Sequence, residues 1–308
     1  MPPNPQPEPT CQPGILDAVP AVARYVNFVI AGADVGAAAI REALTRLSPL
    51  VNGSDVVLGI GPSLVAALDA QVPGLHEFPD LSGPGVKVPS TPGTLWCWIR
   101  GDDLGDLLHL TRKVQKALAP AFAVRHVLDA FRHAWSGSHG RDLTGYEDGT
   151  ENPEGEAAVE AAVTHGLGPG MDGGSFVAVQ QWSHDLDAFE ALAGDAADNA
   201  IGRRRADNVE LEDSPQSAHV KRTAQESFEP PAFLLRRSMP WMLGMQAGLV
   251  FVAFGKSLDA FEAQMRRMAG LEDGITDAMF SISKPVNGAY YWCPPMRGGK
   301  LDLRQLGL

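Results

Sequence analysis

Four times along the chain, a short run of β-branched and aromatic residues gives way to apolar positions spaced three and four apart. Residues 25–31 run ahead of 37–47, and 95–100 ahead of 104–118; in the second half 175–181 precede 185–193, and 249–254 precede 257–268. The runs predict strands, because branched and aromatic side chains suit a pleated, half-buried surface. The spaced positions predict helices, as where Leu258, Phe261, Met265 and Met268 return to one face. The string Leu-Asp-Ala-Phe-Glu-Ala occurs at 186–191 and again at 258–263, each copy behind a strand at a similar offset, so a structural repeat is expected. Further strands at 55–59 and 125–131 point to an antiparallel sheet with helices over one face. The expected class is α+β, with two such domains in tandem. An extended N-terminal arm over 1–20, one domain over 21–145 and a second over 146–308 are expected, with the loop at 145–153 as the junction.

Composition then removes several classes of function. At 308 residues, with 44% hydrophobic and 20% charged positions, the chain has material for two globular cores. A formal net charge of −12 at pH 7 argues against nucleic acid and anionic lipid as partners, because phosphate calls for a basic face. Arg203-Arg204-Arg205 is the local exception; it reads as a solvated cluster beside Asp207 or as a contact to an anionic group. Cys11, Cys97 and Cys293 lack a CxxC spacing, so neither a disulfide framework nor a zinc knuckle is indicated and a reducing compartment fits best. The leader from Met1 to Pro9 has no basic region or apolar stretch, and no apolar run reaches membrane-spanning length. A cytoplasmic protein without a membrane partner is therefore expected. The prolines of that leader predict extended backbone.

Three segments carry candidate chemistry. In Gly145-Tyr146-Glu147-Asp148-Gly149-Thr150-Glu151-Asn152-Pro153, Asp148 taken alone is a turn aspartate that bonds its own backbone. A calcium loop is disfavoured, since no glutamate stands at the closing position. His219 has no second His or Cys three or four residues away, which supports neither zinc nor non-haem iron; a single neutral imidazole does suit one axial position of a haem iron. Arg236 follows the apolar run Ala232-Phe233-Leu234-Leu235 and is expected to lie partly buried. It must then meet an internal carboxylate or a charge in a site. The glycines of 166–174 match neither phosphate-loop pattern.

Taken together, these segments resemble the dye-decolourising peroxidases, most closely their B type. Gly145, Asp148 and Gly149 match the Gly-x-x-Asp-Gly motif, extended by Thr150 to Pro153; Ser217 to Val220 is similar to the proximal-histidine segment. Leu235-Arg236-Arg237-Ser238-Met239-Pro240 is similar to the distal-arginine segment, and 273–277 with 285–295 to the closing stretch. The resemblance implies two tandem ferredoxin-like domains, each a four-stranded antiparallel sheet covered by helices, with haem b in the C-terminal one. His219 is then the expected iron ligand and Asp148 the proton carrier, with Arg236 stabilising departing hydroxide. Gly149 and Thr150 are expected beside the cofactor. Some relatives carry asparagine two residues after the distal arginine, so Ser238 takes that position here. Asp277 is the expected carboxylate partner of His219, with Asp273 as rival; Arg203, or else Arg222, is expected at the haem propionates.

The activity so implied is oxidation of dyes, phenols and other one-electron donors by hydrogen peroxide through an oxyferryl intermediate. An aspartate near ~3.9 in place of a histidine near ~6.5 predicts an optimum between roughly pH 4 and 5. A homo-oligomer is expected. An encapsulin shell is a weaker expectation, since the tail from Leu301 to Leu308 is short. Two rival functions remain: haem storage or iron release, which would need His219 but neither Asp148 nor Arg236, and a cargo role inside a protein shell.

Overall fold

The computed structural model describes residues 10–136 and 139–308. Four strands in the first half are β1 Val22–Ile30, β2 Val56–Ile60, β3 Leu95–Gly101 and β4 Phe122–Phe131. Four more in the second half are β5 Ser175–His184, β6 Met239–Leu243, β7 Gln246–Gly255 and β8 Ala289–Cys293. All pair antiparallel, in the orders β4-β1-β3-β2 and β8-β5-β7-β6. Counted within each half, both orders read fourth, first, third, second. This is the ferredoxin-like arrangement, twice.

The helices follow the first and third strands, as the patterning predicts. Ala37–Leu47 (α1) and Leu104–Leu118 (α2) serve the first half, and Asp259–Met268 (α3) follows β7. The helix expected over 185–193 is shorter. Asp185 caps Leu186–Glu190 by accepting from the Ala188 N–H at 2.9 Å, and a second helix, Gly194–Ile201, starts after a non-helical break over 191–193.

What the patterning leaves open is how the two sheets meet. Trp292 of β8 stands opposite Ile60 of β2, and Ala130 of β4 opposite Trp241 of β6, so the eight strands close into a ring. The reason lies in strands that are apolar on both faces. In β3, Leu95, Cys97 and Ile99 join the core beneath the helices, while Trp96 and Trp98 point inward to a second core. There Trp96 stacks on Tyr291 at 5.8 Å and Trp98 on Phe254 at 6.2 Å, each contact spanning the two sheets. Facing sheets bury side chains that one helix-covered layer would leave in water.

Of the segment expected to form an extended arm, residues 1–9 lie outside the described residues. The remainder is docked. Pro13–Leu16 forms a short helix with Ile15 fully buried, and buried Gln12 donates to the Leu58 and Pro294 carbonyls while accepting from the Leu58 N–H. An apolar side chain and a satisfied buried amide anchor what proline content alone would leave extended. No helix among the described residues is long and apolar enough to cross a membrane.

Candidate active site

The acidic loop is the end of a small hairpin. Gly140–Arg141 pairs with Glu147–Asp148, placing Asp148 opposite Gly140. Gly145 and Gly149, at φ 88° and 82°, take left-handed backbone that lets the chain turn on either side of the pair. Asn152 then clamps the neighbouring strand segment Leu235–Arg236. Its Oδ1 accepts from the Arg236 N–H at 2.8 Å and its Nδ2 donates to the Arg236 carbonyl at 3.0 Å, the pattern of a strand partner. On the other edge Arg236 lies opposite Ala253 of β7. Gln225 adds a third tie, donating to the Glu151 carbonyl at 2.8 Å and accepting from the Leu234 N–H at 2.9 Å.

His219 opens the short helix His219–Thr223. Gly202, at φ 93°, passes so close beneath that helix that a Cβ there would collide with Val220. His219 Nδ1 meets Asp277 Oδ2 at 2.8 Å, and Asp277 Oδ1 accepts from the Met279 N–H at 2.8 Å. The carboxylate side chain is 0% exposed and the imidazole 28%. Its backbone is equally fixed, with the Asp277 N–H donating to the Met268 carbonyl at the end of α3 and the Ala278 N–H to the Ser217 carbonyl. Asp273 pairs elsewhere, with Arg222 at 2.7 Å.

Asp148, His219 and Arg236 line one cavity whose apolar wall comprises Leu249, Phe251, Phe261, Met265, Met268 and Met279. A second cavity adjoins it, shares those three residues as walls, and adds Gly149, Thr150, Glu151 and Arg203. Burial pushes the Asp148 carboxyl above its ordinary range and Asp142 adds to this, while Arg236, the Gly149 N–H and His219 pull the other way. Burial likewise holds the Arg236 guanidinium below its ordinary range, against Asp148 and Glu151. Its Nε is buried without a hydrogen-bond partner among the described residues. A buried donor of that kind, beside an apolar wall, suits an anionic or polar ligand.

Two expected residues stand elsewhere. Arg222, the alternative expected at the propionates, is buried with its guanidinium bonded to both Asp273 oxygens and the Arg267 carbonyl, and it lines neither cavity. Ser238 accepts from the Val252 N–H at 3.3 Å and lines a third cleft that Asp148 and Arg236 border but His219 does not. Arg203 does line the second cavity, but it is tied to Glu151 at 2.7 Å and to Glu210 at 3.0 Å. Asn152, Gln225, Asp142 and His184 escape a reading of the sequence. Only Asn152 lies in a quoted motif, and amide residues acquire roles through partners that are distant in the chain.

The chain is similar to known proteins. The family described as Dyp-type peroxidase, C-terminal, matches residues 139–298. A dye-decolorizing peroxidase of Mycolicibacterium paratuberculosis is 30% identical over 300 residues, spanning 92% of this chain and 83% of the relative. Among solved structures, a dye-decolorizing protein from V. cholerae superposes with a TM-score of 0.80 at 29% identity, covering 91% of this chain and 96% of that one. A DypB variant from Rhodococcus jostii in complex with heme gives 0.79 at 28% identity, covering 91% and 94%. The family match falls on the half that carries the loop, the imidazole and the guanidinium, and the likeness to the mycobacterial relative runs through nearly the whole chain: the protein belongs to the Dyp-type peroxidase family.

Proposed function

We propose that the protein is a B-type dye-decolourising peroxidase that holds haem b between His219 and the Asp148–Arg236 pair. One observation carries this reading: His219, hydrogen-bonded to Asp277, shares a single cavity with Asp148 and Arg236. The residues fit the cofactor. The apolar wall suits a flat macrocycle, Asp277 leaves His219 Nε2 for the iron, and Arg236 Nε, without a hydrogen-bond partner among the described residues, could donate to a bound ligand. The adjoining cavity, with Arg203 and Thr150, suits the polar edge of such a ring. When bound, haem supplies the electrons that reduce peroxide.

The protein's share is proton movement and charge. Asp148 accepts a proton from the inner oxygen of hydrogen peroxide and returns it to the outer one, which leaves as water. Its raised proton affinity helps the first transfer. Arg236, fixed by Asn152, offsets negative charge on the departing oxygen in a desolvated setting where that charge costs most. Asp277 holds the proton on His219 Nδ1 and fixes the ring orientation. Dyes and phenols then serve as one-electron donors.

A spectrum of haem-loaded protein before and after one equivalent of peroxide tests the reading. A Soret band that responds to peroxide, and an Arg236→Leu variant that keeps the band but loses the response, are expected. A band that forms with no peroxide response in the parent would favour haem storage instead.

A further inference from the structure

We propose that Asp142 is a positioning residue of this peroxidase site: anchored by His184 and Thr144, it fixes the turn that delivers Asp148 and governs how readily that carboxyl releases its proton. The inference rests on Asp148 as proton carrier only for its catalytic consequence. Its basis is a buried polar cluster that the mechanism above leaves unused. His184, at the end of β5, has a side chain 2% exposed and bridges two segments, with Nδ1 at 2.7 Å from Ser283 Oγ and Nε2 at 3.0 Å from Asp142 Oδ1. An ionised carboxylate only accepts, so His184 donates from Nε2. Asp142 Oδ2 takes the Thr144 N–H at 3.0 Å and the Thr144 hydroxyl at 2.6 Å.

The backbone of the same residue closes the hairpin. The Asp142 N–H donates to the Tyr146 carbonyl at 2.9 Å, and its carbonyl accepts from the Gly145 N–H at 2.8 Å. Asp142 therefore links the turn that ends at Asp148 to the sheet, through a histidine that cannot move without breaking buried hydrogen bonds. It also brings a charge. Burial opposes ionisation of Asp142, but the His184 hydrogen bond and charge and the Thr144 bonds outweigh it and hold the carboxyl below the ordinary range. That persistent negative charge faces Asp148.

Among the other charges around the pair, Arg236 pulls Asp148 toward ionisation more strongly than Asp142 opposes it, and His219 adds a smaller pull, so Asp142 works with burial to offset the guanidinium. Arg141 is spent on Glu147 at 3.1 Å, and Arg205 packs against Gly145. Asp198 is held by the Tyr146 hydroxyl at 2.5 Å. Two like charges in one desolvated wall titrate as a pair, and the more strongly hydrogen-bonded member ionises first. Asp148 is thereby left with the greater hold on its proton.

The test uses haem-free protein, isotope-labelled at the aspartate carboxyl carbons and titrated by NMR, with Asp148→Asn to assign the signal. Asp142→Asn is expected to shift the Asp148 midpoint downward, and the charge-preserving Asp142→Glu to leave it near the parent value. An unchanged midpoint in Asp142→Asn overturns the proposal. Should that variant not fold, the unaltered protein decides: the two carboxyl signals are expected to titrate as a coupled pair, and two independent single-step curves overturn it. The haem-loaded Asp142→Asn enzyme separates the two ideas. Its acid limb should move with the NMR midpoint, whereas a limb that stays while the midpoint moves sinks Asp148 as proton carrier and leaves the Asp142 link standing.

Discussion

His219 Nδ1 and Asp277 Oδ2 stand 2.8 Å apart, and the carboxylate that holds the imidazole is also the cap of the 3₁₀ turn Ala278–Ser281. The pair ties an iron-ligand candidate to a rigid backbone element. Removing the charge while keeping the shape should therefore act on the metal more than on the fold. Asp277→Asn is expected to weaken haem retention roughly 10–100-fold and to raise the reduction potential, because the ring becomes a poorer donor. Haem titration and spectroelectrochemistry read both; no change in either would leave Asp277 as a cap alone.

Arg236 is partly buried, with its backbone clamped by Asn152, and its charge borders the cavity. Arg236→Leu is expected to slow the peroxide-driven spectral change roughly 10²–10³-fold, and more than Asp148→Asn does. Stopped-flow absorbance ranks the two, and the reverse order would make Asp148 the dominant residue.

The acidic limb of the pH profile follows from the environment of Asp148. In the proposed mechanism its ionised form is the base, so activity rises with pH through its midpoint. Burial, aided by Asp142, raises that midpoint above the ordinary 3.8. The optimum should accordingly lie higher than an unperturbed aspartate would give. Rates of peroxide consumption against pH should show the limb above 3.8, absent in Asp148→Asn; a limb at or below that value contradicts the assignment.

Asn152 makes two hydrogen bonds to one peptide of the Arg236 segment. Asn152→Ala leaves both backbone groups without those partners and should cost about 1–3 kcal/mol in denaturant unfolding. The peroxide step should slow while the Soret band persists. Loss of stability without loss of rate would show that Arg236 keeps its place unaided.

The Arg222–Asp273 pair gives a stability prediction in acid. The Arg222 hydrogen bonds hold the Asp273 carboxyl down to about 2 from 3.8, so its contribution is complete above 3.8 and fades as pH falls toward 2. The Asp273 side chain is 40% exposed, which screens the effect to on the order of 1 kcal/mol. Asp273→Asn should therefore be less stable than the parent near neutrality and equal to it near pH 2. Thermal unfolding across that range checks the convergence.

The strand and helix pattern was legible because each element buries one face. The spacing that predicts helices over 37–47 and 104–118 meets Ala37–Leu47 and Leu104–Leu118 in the structure. Ring closure was not legible, since the inward Trp96 and Trp98 look the same in sequence whether they meet a helix or a second sheet. The helix expected over 185–193 failed at a local feature, the break before Gly194.

By itself the sequence determined the alternation that makes two sheets, the glycines that turn the acidic loop, and the resemblance that singles out Asp148, His219 and Arg236. Only the tertiary structure decided that these three share one cavity, that Arg222 spends its charge on Asp273, and that Ser238 lines a separate cleft. It alone joined Asp142 to His184 across 42 positions of chain. Local periodicity follows from covalent spacing and is written in neighbouring residues. The fate of a buried charge depends on which partner the fold brings within hydrogen-bond reach, and that partner is set by packing between segments far apart in the chain.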